Sequence, residues 1–152
     1  RHYFSSQSEL LLFSMELVTE RVIKRLKSRE FSEDQDPLEF VTEGVFEVLP
    51  IDEERKIEME VWLAFSAKVL VDSKLSELSK QVYDYMHQGL KNVIQVLQVL
   101  DYAKDGLDLD LEVNLLHAIV DGMAMHHLLN PKQFTEDDMK KTLKYHLQSL
   151  CK

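Results

Sequence analysis

Apolar residues recur at spacings of three and four along most of the chain, which predicts a series of amphipathic helices. The first follows a capping box at Ser6-Gln7-Ser8-Glu9. Its apolar stripe consists of Leu11, Met15, Val18, Val22 and Leu26. A second helix is predicted to begin with Asp36 as N-cap and Pro37 at the first helical position, and to end at Pro50.

Two longer helices are predicted in the middle of the chain. Asp52 opens the third, which is apolar on nearly every side from residue 59 to 71 and is therefore expected at the centre of the fold. Asp72-Ser73 caps a long fourth helix, which is expected to end at Asp105-Gly106. Asp110 is expected to cap the next helix.

The fifth and sixth helices carry more apolar surface than one chain of this size is expected to cover. The fifth ends at Asn130-Pro131 and is apolar almost all round, and the sixth begins after Thr135. A second copy of the chain is the natural cover, and the two helix pairs would then form a four-helix bundle. The candidate interface residues are Leu116, Ile119, Val120, Met123, His127, Met139, Leu143 and Leu147. The alternative is that these side chains form a core within a single chain.

The composition supports an all-α fold and narrows the function. The 152 residues include only Gly 4 and Pro 3, too few breakers for a many-stranded protein. A single cysteine, Cys151, excludes an intrachain disulfide and suits the cytoplasm. The formal net charge of −9 disfavours nucleic-acid binding by this part of the chain alone. No signal peptide or membrane-spanning run is evident, so no membrane association is expected.

Three segments together resemble the TetR family of bacterial transcriptional regulators. Arg1-His2-Tyr3-Phe4, followed by Ser6, Glu9 and Leu10, resembles the end of that family's DNA-binding domain, with Gln7 where the family usually carries lysine. Residues 61–65, Val-Trp-Leu-Ala-Phe, resemble a run in the choline-responsive repressor subgroup. Residues 119–123, Ile-Val-Asp-Gly-Met, resemble an element on a dimerisation helix. The resemblance covers the whole chain.

The resemblance implies a cytoplasmic repressor of about six helices in this chain, acting as a homodimer on operator DNA. The DNA-binding head would lie mostly upstream of residue 1, with His2, Tyr3, Phe4 and Ser6 closest to the DNA. Residues 1–28 would then be the tail of the head and a connecting helix. Residues 29–152 would be the ligand-binding and dimerisation domain. No enzymatic activity, cofactor or metal is implied.

The family resemblance also implies a ligand cavity among the central helices. Large, adaptable or amphipathic side chains on three helices are the candidates for its lining, since pockets are mostly apolar with a few placed polar groups. They are Phe46, Met59, Trp62, Phe65, Ser66, Val69, Tyr83, Met86, His87 and Leu90. The expected ligand is small and apolar or amphipathic. A cation held by Trp62 and the tyrosines is one alternative, and ordinary core packing is another.

Two other functions remain open at the level of the sequence. One is a helical protein-interaction module that binds neither ligand nor DNA. The other is a metalloenzyme of the four-helix-bundle type, because Asp84 and His87 have the spacing of a di-iron motif. A second such motif is not found in the sequence, and the adjacent His126 and His127 point about 100° apart on a helix. Metal binding is therefore disfavoured.

Overall fold

A computed structural model describes residues 6–152, and this part of the chain is all-helical. A short 3-10 turn, Ser73–Leu75, precedes the fourth helix. The six helices are α1 (Gln7–Lys27), α2 (Pro37–Phe46), α3 (Glu53–Val69), α4 (Ser76–Val99), α5 (Leu109–Leu129) and α6 (Glu136–Ser149). The predicted fold class and number of helices are thus confirmed.

Most helix starts lie where the capping residues predict them. The side chains of Asp36 and Asp52 accept hydrogen bonds from backbone N–H groups of the first turns of α2 and α3. Thr135 and Asp138 form a reciprocal capping box at α6. These bonds satisfy donors that a helix leaves free at its N-terminus, so a local sequence signal is enough to place each start.

Four predicted boundaries are wrong. Asp72 caps the short 3-10 turn rather than α4, which begins at Ser76. The N-cap of α5 is Asp108, whose side chain accepts from the N–H of Leu111, rather than Asp110. Helix α2 ends at Phe46, several residues before Pro50. Helix α4 ends at Val99, because the chain then turns to form a backbone bridge between Ala103 and Cys151. That bridge fixes the C-terminus beside the end of α4.

The largest core cluster does not lie around α3, so the prediction that α3 is the central helix is wrong. The largest core cluster is built around α5 and α6, with Leu116, Leu143 and Leu147 fully buried. On α3 only three residues are buried, and Leu70 and Val71 just beyond it are 88% and 78% exposed. An apolar composition alone does not tell which helix is covered by its neighbours.

A partly buried group of charges fastens the C-terminal half of α1 to α3 and to the turn before it. Arg25 donates to both carboxylate oxygens of Glu58, at 3.0 and 2.8 Å, and also to the side chain and the carbonyl oxygen of Glu47. Glu58 is 1% exposed. Glu47 also binds Arg55, at 2.6 Å. We call Arg25, Glu47, Arg55 and Glu58 the α1–α3 clamp.

The clamp holds the guanidinium of Arg25 in place and favours its charged form. Hydrogen bonding and Coulomb attraction from Glu58 and Glu47 outweigh the effect of burial and hold the pKa of Arg25 above its ordinary value. Such a bidentate pair orients a helix as well as neutralising charge. The position of α1 in this fold is therefore set by specific contacts near its end.

Candidate functional site

A cavity of about 320 Å³ lies among the first five helices. Its size falls at the lower end of the range typical of small-molecule sites, roughly 300–1,000 Å³. The lining from α1 to α3 and the intervening segments is Met15, Val18, Thr19, Val22, Ile23, Leu26, Arg29, Phe40, Val41, Gly44, Val45, Val48, Met59 and Trp62. The lining from α4 and α5 is Val82, Tyr85, Met86, Gly89, Leu90, Asn92, Val93, Val96, Asp121 and Ala124.

Four of the ten residues predicted to line a cavity do so. They are Met59, Trp62, Met86 and Leu90, which reach it from α3 and α4. Half of the wall that sequence analysis missed comes from α1 and α2. The α1 residues were recognisable as a buried stripe, but periodicity does not distinguish a side chain that meets another from one that meets empty space.

Phe65, Val69 and Phe46 pack elsewhere, and their assignment to this cavity is wrong. Phe65 is 1% exposed and lies in a separate core cluster with Met15 and Val18, against which Val69 also packs. Phe46 lines a different groove between α2 and α6. Ser66 is partly buried and does not line the cavity.

Tyr83 and His87 also lie outside the cavity, at the contact between α4 and α5. The Nδ1 atoms of His87 and His117 are 3.0 Å apart, and Tyr83 stacks on His87 with ring centroids 5.2 Å apart. Burial, followed by the charge of His87, lowers the pKa of His117. The described residues contain no group of three or more histidine, cysteine or acidic side chains arranged to hold a metal.

Two charged residues, Arg29 and Asp121, line the otherwise mainly apolar cavity. Arg29 follows the end of α1 and its Nη2 donates to the carbonyl oxygen of Phe40 at 2.7 Å. Asp121 lies on α5, with Oδ2 3.5 Å from Nε2 of His117. Neither was singled out as a pocket residue by sequence analysis, although a lone Asp within an apolar helix is a usable signal.

Burial raises the pKa of the Asp121 carboxyl from 3.8 to about 6. The folded chain therefore holds this proton more tightly than the unfolded chain, and stability falls as pH rises through that window. Above about pH 6, the ionised Asp121 carboxylate lowers the stability of the folded chain by its full amount. Since the pKa of His117 is lowered, this histidine is neutral at pH 7 and does not offset the carboxylate charge.

Asp121→Asn should therefore stabilise the protein at about pH 7.5 and leave it nearly unchanged at about pH 4. The expected gain is roughly 1 kcal/mol, reduced for solvent screening because the side chain is 41% exposed. Urea unfolding at the two pH values measures it, with the exposed Asp105→Asn as the control. An equal effect at both pH values would show that the carboxylate charge is not its cause.

The predicted interface residues occupy the chain's own core rather than an accessible surface. Leu116, Val120, Met123, Met139, Leu143 and Leu147 are each at most 5% exposed within one chain. Ile119 packs against the same core, and Nδ1 of His127 lies 2.9 Å from the carbonyl oxygen of Phe134. The assignment of the six buried residues to an interface is thus corrected, because α6 and the neighbouring helices already cover them.

A different face of α5 is left uncovered. Its residues recur at alternating spacings of four and three, the spacing of helices that pack along their length. They are Leu111, Leu115, Ala118, Gly122, Met125 and Leu129, which we call the α5 outer face. The four large side chains are 37–63% exposed, and a β-carbon on Gly122 would meet no atom within 4 Å.

Comparison with known proteins identifies the family. The family described as "BetI-type transcriptional repressor, C-terminal" matches residues 37–152. The chain belongs to the TetR family of transcriptional regulators. It is also 38% identical over 151 residues to the HTH-type transcriptional regulator PksA of Bacillus subtilis (strain 168), a match that covers 99% of this chain and 72% of that protein. Members of this family are regulators and not enzymes, which sets the metalloenzyme alternative aside.

Two solved structures share the fold of this TetR-family chain. One is a transcriptional regulator from Rhodococcus sp. Rha1, with a TM-score of 0.77 and 22% identity over 97% of this chain and 74% of that one. The other is a putative transcriptional regulator from Saccharomonospora viridis in complex with choline, with a TM-score of 0.77 and 23% identity over 95% and 74%.

Part of the predicted DNA-proximal group lies outside the described residues, namely His2, Tyr3 and Phe4. Ser6 is the N-cap of α1, and its Oγ accepts a hydrogen bond from the N–H of Glu9 at 3.1 Å. Within residues 6–152, every helix is too short or too polar to span a membrane.

Proposed function

We propose that this chain is the effector-binding and dimerisation part of a TetR-family repressor. A small apolar or amphipathic molecule in the cavity would change the affinity of an upstream DNA-binding head for its operator. The observation that carries the proposal is the 320 Å³ cavity, which is walled by five helices and mostly apolar. Because the cavity is in contact with five helices, an effector bound there can act on several of them at once.

Helix α1 is the element best placed to connect the ligand with the DNA. It contributes six residues to the cavity wall, from Met15 to Leu26, and its first turn lies nearest the proposed head. The α1–α3 clamp holds its other end. A ligand that fits the cavity better in one position of α1 would shift the protein to that position, and only through this difference in affinity.

The α5 outer face is proposed as the dimer interface, in place of the buried residues first considered. Two copies of this face, related by a two-fold axis, would cover each other. A dimer would present two recognition helices to successive turns of operator DNA, about 34 Å apart. A ligand-induced movement of α1 would alter that spacing.

Filling the cavity should abolish the response to effector. Val93→Trp places a large ring in the cavity wall of α4, and Val99→Trp is the matched control because Val99 is 83% exposed on the same helix. We expect a small-molecule extract of the source cells to change operator affinity of the full-length protein by at least about 5-fold. The same change is expected for Val99→Trp and none for Val93→Trp.

Fluorescence anisotropy with a labelled operator duplex measures this response. Circular dichroism of each variant checks that the helices are intact. A folded Val93→Trp protein that responds to the extract as the wild type does would place the effector outside this cavity.

A further inference from the structure

We propose that the cavity binds an anionic amphiphile, a monocarboxylate with an apolar body, whose carboxylate pairs with Arg29. This inference rests on the proposed effector site and names the class of its ligand.

The guanidinium of Arg29 is held in place on α2. Its Cζ lies 4.1 Å from the centroid of the Phe40 ring, and Nη2 donates to the Phe40 carbonyl. Gly44 makes this position available, because a β-carbon there would overlap Nη1. Arg29 is therefore a pre-positioned cation, and such a group loses little conformational freedom when it binds a ligand.

Arg29 has no carboxylate partner among residues 6–152, unlike the other arginines there. Arg21, Arg25 and Arg55 each form an ion pair with at least one acidic side chain. A guanidinium has five N–H donors and does not lose its proton in proteins. The described contacts of Arg29 include one hydrogen bond acceptor, the Phe40 carbonyl. A ligand carboxylate would supply the missing counter-charge and accept two parallel hydrogen bonds.

The rest of the cavity suits the apolar body of such a ligand. Its wall is made mainly of valine, leucine and methionine side chains, with Trp62 among them. A volume of about 320 Å³ limits the ligand to a small molecule. A saturated acid of about ten carbons has this combination of a long apolar part and a single charge.

Asp121 is the competing charge, since an unpaired carboxylate would favour a cation. Its side chain is 41% exposed and lies 3.5 Å from Nε2 of His117, so water and the ring of His117 are both available to it. Arg29 has no ion-pair partner in residues 6–152, and a guanidinium does not lose its proton in proteins. Arg29 therefore has the greater need of a counter-charge, and the cavity favours an anionic ligand.

Isothermal titration calorimetry on the full-length protein tests the inference with three ligands that share a ten-carbon chain. They are decanoate, decan-1-ol and decyltrimethylammonium, which carry a negative, zero and positive charge. We expect decanoate to bind about 10- to 100-fold more tightly than decan-1-ol, as a charge-assisted hydrogen-bonded pair provides. The cation should bind more weakly than the alcohol. Equal or tighter binding of the cation overturns the inference.

Variants assign the preference to Arg29. Arg29→Met should remove the 10- to 100-fold advantage of decanoate over the alcohol, and Arg29→Lys should restore part of it. Gly44→Ala keeps the charge but displaces the guanidinium, and should weaken decanoate binding while leaving the alcohol unchanged. Arg21→Met is the control, since Arg21 lies on α1 and does not line the cavity.

Calorimetry measures ligand binding without DNA. The ligand-class inference and the proposed function can therefore each be rejected without the other. Arg29-dependent binding of decanoate with unchanged operator affinity supports the ligand class and rejects an effector role for it. If Arg29→Met binds decanoate as tightly as the wild type does, the ligand-class inference is rejected even where the cavity still controls DNA binding.

Discussion

Glu58→Ala should lower the free energy of unfolding by about 3–5 kcal/mol, the largest effect that we expect from a single change on the α1–α3 clamp. Glu58 is 1% exposed and accepts two hydrogen bonds from Arg25. Its removal leaves a partly buried guanidinium with Glu47 as its nearest anion. Chemical denaturation at pH 7 followed by circular dichroism measures the loss.

Glu54→Ala is the matched control for Glu58→Ala. Glu54 lies one turn earlier on α3, and its Oε1 is 2.7 Å from Arg21 and 4.0 Å from Nη1 of Arg25, but its side chain is 58% exposed. An exposed ion pair of this kind contributes about 0–1 kcal/mol. Similar losses for the two variants would contradict the view that the buried pair, rather than surface charge in general, fixes α1.

Leu115→Glu should convert the proposed dimer to a monomer at micromolar concentration. Leu115 lies near the middle of the α5 outer face and is 48% exposed in one chain. Two-fold symmetry places the new charge twice in one interface, where burying it without a partner costs several kcal/mol. Sedimentation velocity of the full-length protein measures the change in mass.

Leu70→Glu separates this effect from a general effect of adding surface charge. Leu70 is 88% exposed after α3 and lies off the α5 outer face. The Leu70→Glu protein should sediment as the wild type does. A Leu115→Glu protein that remains dimeric would remove the α5 outer face from the interface.

Local sequence signals predicted the helices well because each signal acts within one turn. Asp36, Asp52 and Thr135 bind backbone N–H groups three residues away, so their effect needs no tertiary contact. The start of α5 was predicted wrongly because Asp108 and Asp110 both precede the apolar run, and only the fold determines which of them caps it.

Tertiary contacts determine which chain covers an apolar side chain and which side chains line the cavity, and the sequence pattern does not show these contacts. Leu143 and Leu147 were predicted to lie in an interface and are instead buried within one chain, because periodicity does not tell whether the same chain or a second one covers them. The same limit applies to Phe65, which fills a core, and to Trp62, which lines the cavity. Within residues 6–152, the lack of a carboxylate beside Arg29 follows from the placement of this residue, after the end of α1, against Phe40 and Gly44 of α2, and has no counterpart in the local sequence.

The central claim is that one ligand in the cavity and operator DNA favour different states of the same protein. Native mass spectrometry tests it most directly, with the full-length protein equilibrated with the small-molecule extract in the presence and absence of operator duplex. We predict one small molecule per chain on the free protein and a markedly different occupancy on the DNA-bound protein, as reciprocal coupling requires. Equal occupancy in the two complexes, or no bound molecule in either, would contradict it.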